Sequence, residues 1–189
     1  QWTLSTPLEK IGIPPKVNEL IAQRIARLGR EERKLIDLAA VSGFSFTSDM
    51  LSRTLTLDIT DVLQTLAEIE RRHKLIRSTD SAFEFTHHKI RESVCANLPT
   101  ELRKIYHLKP VSCLEQVLME KISDDYIPDI AFHYVEGGAP EKAFEYLVKL
   151  GEKAVNIYAN LQAIDYLDKA LEATQKSANL ATRENLVEI

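Results

Sequence analysis

Residues 59–86 read ITDVLQTLAEIERRHKLIRSTDSAFEFT, and the change of period inside this stretch decides the fold. Its first half places Ile59, Val62, Leu63, Leu66 and Ile69 at intervals of three and four, the spacing that gathers apolar side chains on one face of a helix. Asp58 or Thr60 supplies the side-chain oxygen that caps such a helix. Its second half switches to period two. His73 to Arg77 and Ala82 to Thr86 alternate apolar and polar residues around the turn-forming Ser78-Thr79-Asp80-Ser81, which predicts a β-hairpin.

Working outward, Gly43-Phe44-Ser45-Phe46 reads as a short turn, and Thr47 or Ser48 caps a helix that runs through Leu55. Glu31 to Ser42 forms a helix whose Leu35, Ile36, Leu38, Ala39 and Val41 are too apolar all round for a surface position, so it is expected at the centre of a core. A further helix follows the hairpin from His87 to Leu98, and Pro99 marks a boundary. Three helices followed by a hairpin is the order of a winged helix. Before it, an extended lead-in over the first dozen residues gives way at Pro15 to a helix stopped by Gly29. Beyond Pro99 every segment reads as helix: about 100 to 121 with a break or kink at Lys109-Pro110, 125 to 136, 139 to 157, 160 to 175, and a frayed piece from about 180. Leu147, Leu150, Gly151, Ala154, Ala163, Leu167 and Ala170 match the small and large positions of one tetratricopeptide unit, although Ala143 and Ala163 repeat at an offset of 20 instead of 34. The expected architecture is therefore mainly α: a lead-in at 1–29, a winged-helix domain at 30–98, and an antiparallel tetratricopeptide-like stack at 99–189.

Composition narrows the function. With 24 basic and 28 acidic residues the net charge is −4, and residues 30–98 carry 10 basic against 11 acidic side chains. Neither balance supplies the cationic surface that binds phosphates by counterion release. In the helix over 59–72 the outward positions are Thr60, Asp61, Gln64, Glu68 and Arg71, and the hairpin tip holds one cation, Arg77. Carboxylates at a groove-reading helix repel phosphates, so DNA is disfavoured; the alternative, a DNA-binding regulator, would rely on Arg71 and Arg77. No apolar run approaches a bilayer span, and the start QWTLSTPLEK lacks a signal-peptide pattern, so a cytoplasmic, membrane-free protein is expected. Cys95 and Cys113, 18 positions apart with no metal-ligand spacing, read as buried thiols. His107 and His133 lack the second histidine one turn away that a helical zinc pair needs, so they read as packing residues and no metal is expected. Arg91 and Glu92 read as surface charges, and Asp124-Asp125 and Glu31-Glu32 as helix-start carboxylates that complement the dipole. Nothing offers a nucleophile with its base.

Four stretches resemble one family: IPPKVNELIAQRIARL, RKLIDLAAVSGFSFTSDML, LAEIERRHKLI followed by FEFTHHKIRESV, and PEKAFEYLVKLGEKAVNIYANLQAIDYLDKALE, together spanning about residues 13 to 172. Their order is similar to the region C-terminal to the NTPase core in signal-transduction ATPases with numerous domains, a class that includes bacterial transcription activators and ATPase-linked adenylate cyclases. The resemblance implies that the first stretch ends the ATPase lid, the middle is a winged helix and the last a sensor array of helical repeats. The chain carries no GxxxxGK[ST], so no enzyme activity and no cofactor is expected of it, and ATP or ADP would belong to the intact parent. The opening Gln1 and the closing NLVEI fit an excised piece of such a parent. Partners implied are the parent's NTPase core and a protein or peptide regulator on the repeats. In related ATPases a Met-His-Asp motif sets its histidine against the β-phosphate of bound ADP. Thr86-His87-His88 resembles that motif: the histidine matches at His87, while Thr86 replaces the Met and His88 the Asp, so His87 reads either as a phosphate donor in the intact parent or as a helix-capping or wing-packing residue.

Overall fold

The computed structural model describes residues 15–117 and 126–187, with side chains described over 18–115 and 126–175. The expected lead-in over the first dozen residues, the end of the helix read to 121, and Asp124-Asp125 lie outside them. The chain is mainly helical with one small three-stranded antiparallel sheet, and it divides into two compact units, residues 1–98 and 99–189.

In the first unit the order is α1 (Pro15–Ala26), α2 (Arg30–Ser42), β1 (Ser45–Phe46), α3 (Ser48–Leu55), α4 (Ile59–His73), β2 (Ile76–Ser78), β3 (Phe83–Phe85) and α5 (His88–Ala96). Central to it is α2, whose Ile36, Leu38, Ala39 and Ala40 are wholly buried and which packs on α3, α4, α5 and β1. Leu51 from α3, Val62, Leu66 and Ile69 from α4, Phe85 from β3 and Val94 from α5 complete the core. The helix starts are set by local chemistry. Thr47 Oγ1 accepts the Met50 N–H at 3.2 Å, and an Asp58 carboxylate oxygen accepts the Thr60 N–H at 2.7 Å. That backbone hydrogen bond holds the Asp58 carboxyl below its usual range. Glu32 closes α2 from the other direction, its carboxylate taking the Gly29 N–H at 2.7 Å.

The sheet has the order β1-β3-β2, with Ser45 opposite Glu84, and Ile76, Arg77 and Ser78 opposite Phe85, Glu84 and Phe83. Its third strand corrects the turn expected at 43–46: Ser45 and Phe46 pair with β3, and Phe46 rests against Phe83 and Phe85 at ring separations of 6.2 and 5.6 Å. A two-residue strand carries too little alternation to be read locally; its edge is defined by the distant strand that receives it.

The second unit contains α6 (Thr100–Val117), α7 (Ile127–Gly137), α8 (Pro140–Asn156) and α9 (Asn160–Val187), each packed on the next. Their shared core holds Val111, Ile130, Ala131, Tyr134, Ala143, Tyr146, Leu147, Leu150 and Ala170. Two expectations are corrected. α6 is not broken at Pro110 but runs through it, because one missing N–H is outweighed by a face on which Tyr106, His107 and Val111 are all buried. α9 is continuous to Val187 with no break near 175–180. Small residues set the seams between helices. A Cβ at Gly137 would stand 2.5 Å from Leu108 Cδ2, and one at Gly151 would stand 2.9 Å from Leu167 Cγ, so each glycine lets a leucine of the adjoining helix lie directly on its backbone.

Candidate functional site

The sequence singles out the start of α5, where β3 delivers the chain into Thr86-His87-His88. Thr86 is pinned back to the α4–β2 junction: its N–H donates to Leu75 O at 3.0 Å and its hydroxyl to Lys74 O at 3.1 Å. His87 is the N-cap of α5, in an extended conformation, and its Nδ1 accepts the Lys89 N–H at 3.1 Å. That bond assigns the tautomer. In the neutral ring the proton must sit on Nε2, leaving an N–H donor on an exposed side chain at a helix start, where the dipole favours anions. His88 does not share this position: its ring stacks on Phe44 at 4.0 Å. Lys89 and Glu92 pair at 2.7 Å, and Lys89 holds the Glu92 carboxyl below its ordinary value.

Arg91 corrects its reading as a surface charge. It is half-buried, and its Nε donates to Ala40 O at 2.8 Å, a carbonyl that also accepts from Cys95 Sγ at 3.3 Å. The last turn of α2 leaves this carbonyl outside the helix ladder, and a guanidinium at a helix C-terminus is favoured by the dipole as well. Cys95 and Cys113 are half-buried, not buried as expected, and the Cys95 sulfur meets the end of α2 at Ala40 O.

The two arginines of the DNA alternative stand on neighbouring elements. Arg71 is exposed near the end of α4, whereas Arg77, on β2, is ion-paired across the sheet with Glu84, the residue opposite it in register. Glu70 faces the same strand, accepting from the Ser78 N–H at 2.8 Å and its hydroxyl at 3.2 Å, and Arg72 lies 3.5 Å from Glu68. Along α4, Ile59 and Leu63 are exposed one turn apart at the edge of the buried stripe, while Asp61 and Glu68 are exposed on the opposite, outward side of the helix.

Two polar clusters escaped the sequence reading. In the second unit the buried rings of His107 on α6 and His133 on α7 meet with Nδ1 2.9 Å from Nδ1, so one ring donates the proton that the other accepts. Among the described residues no three His, Cys, Asp or Glu side chains converge as metal ligands. Nearby, Glu115 of α6 accepts two phenol hydrogens, from Tyr134 of α7 at 2.6 Å and Tyr146 of α8 at 2.5 Å, with the two rings stacked at 5.7 Å and Lys142 3.7 Å from the carboxylate. Burial, and then these bonds to a carboxylate, push both phenols well above the ordinary tyrosine value. A carboxylate shared in this way ties α6, α7 and α8 to one another. Among the described residues no helix is long and apolar enough to cross a membrane. Comparison with protein-family models, with curated proteins and with solved structures finds no significant match for this chain.

Proposed function

We propose that this chain is a non-enzymatic regulatory segment of a signal-transduction ATPase with numerous domains: a winged helix in the first unit that packs on the parent's nucleotide-binding core, and a tetratricopeptide-like stack in the second that receives a protein or peptide regulator. The observation that carries it is the outer face of α4. In a DNA-reading winged helix this surface meets phosphates and base edges. Here its outward side offers Asp61 and Glu68, with Ile59 and Leu63 exposed at its edge, while the hairpin cation Arg77 is neutralised by Glu84. Outward carboxylates oppose a phosphate backbone, and exposed apolar side chains at the margin suit a protein surface. His87 fits the same reading. Its Nε2–H is free of the cap that occupies Nδ1, the arrangement needed to donate to a phosphate oxygen of ADP held by the parent's core.

Short duplex DNA titrated against the chain at low salt tests the proposal. The expected result is weak, sequence-independent retention that Arg71→Ala and Arg77→Ala leave unchanged. Tight binding with a steep salt dependence, lost on those substitutions, would instead establish the DNA-binding reading. Turnover of ATP by the isolated chain would equally overturn the assignment.

A further inference from the structure

The α8–α9 pair leaves an apolar trough uncovered. The two helices are joined by residues 157–159, pack along their lengths, and touch most closely where Leu167 covers Gly151. On α8, Phe144 and Val155 fall at the helical phase next to Gly151, on the side away from Ala143, Tyr146 and Leu150. On α9, Ile164 and Leu171 flank Leu167, on the side away from the partly buried Tyr166 and Ala173. Because the helices are antiparallel, these two stripes lie on one side of the hairpin, opposite the core that α7 fills. Phe144, Val155, Ile164, Leu167 and Leu171 are 39% to 56% exposed. A contiguous patch of this kind marks a binding surface.

The rims have one sign. Beyond the stripe on α8 the next helical phase carries Glu141 and Glu152; beyond that on α9 it carries Asp168 and Glu172. Among the described residues the lysines of the two helices lie at other phases: Lys142 and Lys149 with Glu145, Lys169 with Asp165, and Lys153 on the side of α8 away from Phe144. We propose that this trough binds a basic amphipathic helix, its apolar stripe on Phe144, Val155, Ile164 and Leu171 and its lysines or arginines against the carboxylate rims. The claim rests on reading the second unit as a partner-binding stack and names the surface and the partner's chemistry. Shape argues for a helix, because α8 shows how this stack fills such a face. It lays Ala143, Tyr146, Leu147 and Leu150, spaced as one helical stripe, on α7, and reaches α6 through the Tyr146–Glu115 bond. Charge argues for a basic one. A second copy would oppose acid rim to acid rim, and an anionic lipid surface would be repelled in the same way.

The test uses the whole chain and a synthetic peptide with leucines at i, i+3, i+4 and i+7 flanked by lysines, and a twin with glutamates for the lysines. The lysine peptide is expected to bind at least about tenfold more tightly than its twin, with affinity falling as salt rises. Ile164→Asp and Leu171→Asp, at exposed positions that leave the fold intact, are expected to weaken it by about tenfold or more. Asp168→Lys with Glu172→Lys should turn the preference toward the glutamate twin. Absence of binding, equal binding of the two peptides, a dimer dissolved by Ile164→Asp, or capture by anionic vesicles overturns the proposal. Binding that Ile164→Asp leaves untouched overturns the trough while leaving the stack's partner-binding role standing.

Discussion

Gly137→Ala and Gly151→Ala add the same methyl group to two helix seams and should differ in outcome. Alanine in a helix interior is favoured over glycine by about 1 kcal/mol, a gain available in full at Gly151, inside α8, and only in part at Gly137, the last residue of α7. The cost depends on what the new carbon meets. At Gly137 it would stand 2.5 and 2.7 Å from Leu108 Cδ2 and Cγ with His107 Cβ behind at 3.5 Å, and Leu108 is itself packed against the core. Overpacking of this kind costs roughly 1 to 3 kcal/mol, so Gly137→Ala should lose about 1 to 2 kcal/mol net. At Gly151 the neighbours at 2.9 Å are Leu167 Cδ2 and Cγ, and Leu167 has solvent to swing into. There the helix gain offsets the clash, and the change should stay within about 1 kcal/mol of zero.

All six tyrosines lie at or beyond Tyr106, so tyrosine signal in a denaturant titration reports the second unit alone. The expected result is a lower midpoint with unchanged slope for Gly137→Ala and an unmoved midpoint for Gly151→Ala. A Gly137→Ala protein as stable as the parent would refute the inference that the packing of Leu108 on this glycine leaves no room for a side chain at the α6–α7 seam.

Three further outcomes follow from single sites. His87→Ala should weaken the start of α5 by about 1 kcal/mol and speed hydrogen exchange at the Lys89 amide, whereas His87→Asn, which keeps a capping acceptor, should restore protection. Thr56, a β-branched residue in the left-handed region with φ of 55°, closes α3, and Thr56→Gly should raise the stability of the first unit by about 1 kcal/mol, measured as a shift of its thermal transition. Because both phenols titrate higher in the folded unit than the ordinary value of 10.0, their contribution is complete below that value and is lost as pH rises beyond it: the unfolded chain gives up these protons first. Melting of the second unit should therefore become steeply alkali-sensitive above pH 10.0, and Tyr134→Phe with Tyr146→Phe should flatten that dependence.

What could be read from the sequence was what a residue does to its near neighbours. Thr47 and Asp58 announce helix starts because the N–H groups they satisfy lie two or three residues ahead, and the central place of α2 follows from an apolar run no surface could carry. Pro110 misled for the complementary reason: its local penalty is real, but α6 is held by what its buried face meets on α7. β1 is a strand only because β3 comes back to it, and Arg91 is structural only because the end of α2 is within its reach. The start of α5 lies between these cases, since the sequence marks His87 but not which of its nitrogens is left for a ligand.

The two polar clusters of the second unit show the same boundary at the level of function. Scanning along one helix for a second histidine at a turn's spacing finds none for His107, yet its ring meets His133 from the adjacent helix. Glu115 carries no local sign of accepting two phenols from two other helices. Both clusters depend on how α6, α7 and α8 sit against one another, and at the α6–α7 seam Leu108 covers Gly137. The same device at Gly151 and Leu167 brings α8 and α9 together, but there its apolar flanks remain open. On the proposed reading, a stack whose internal faces are tied by polar bonds and whose outer face is apolar between acidic rims separates holding itself together from holding a partner. Function in this unit should therefore respond to substitutions at Ile164 and Leu171 without loss of stability, and stability to substitutions at Glu115 without a change in what the outer face selects.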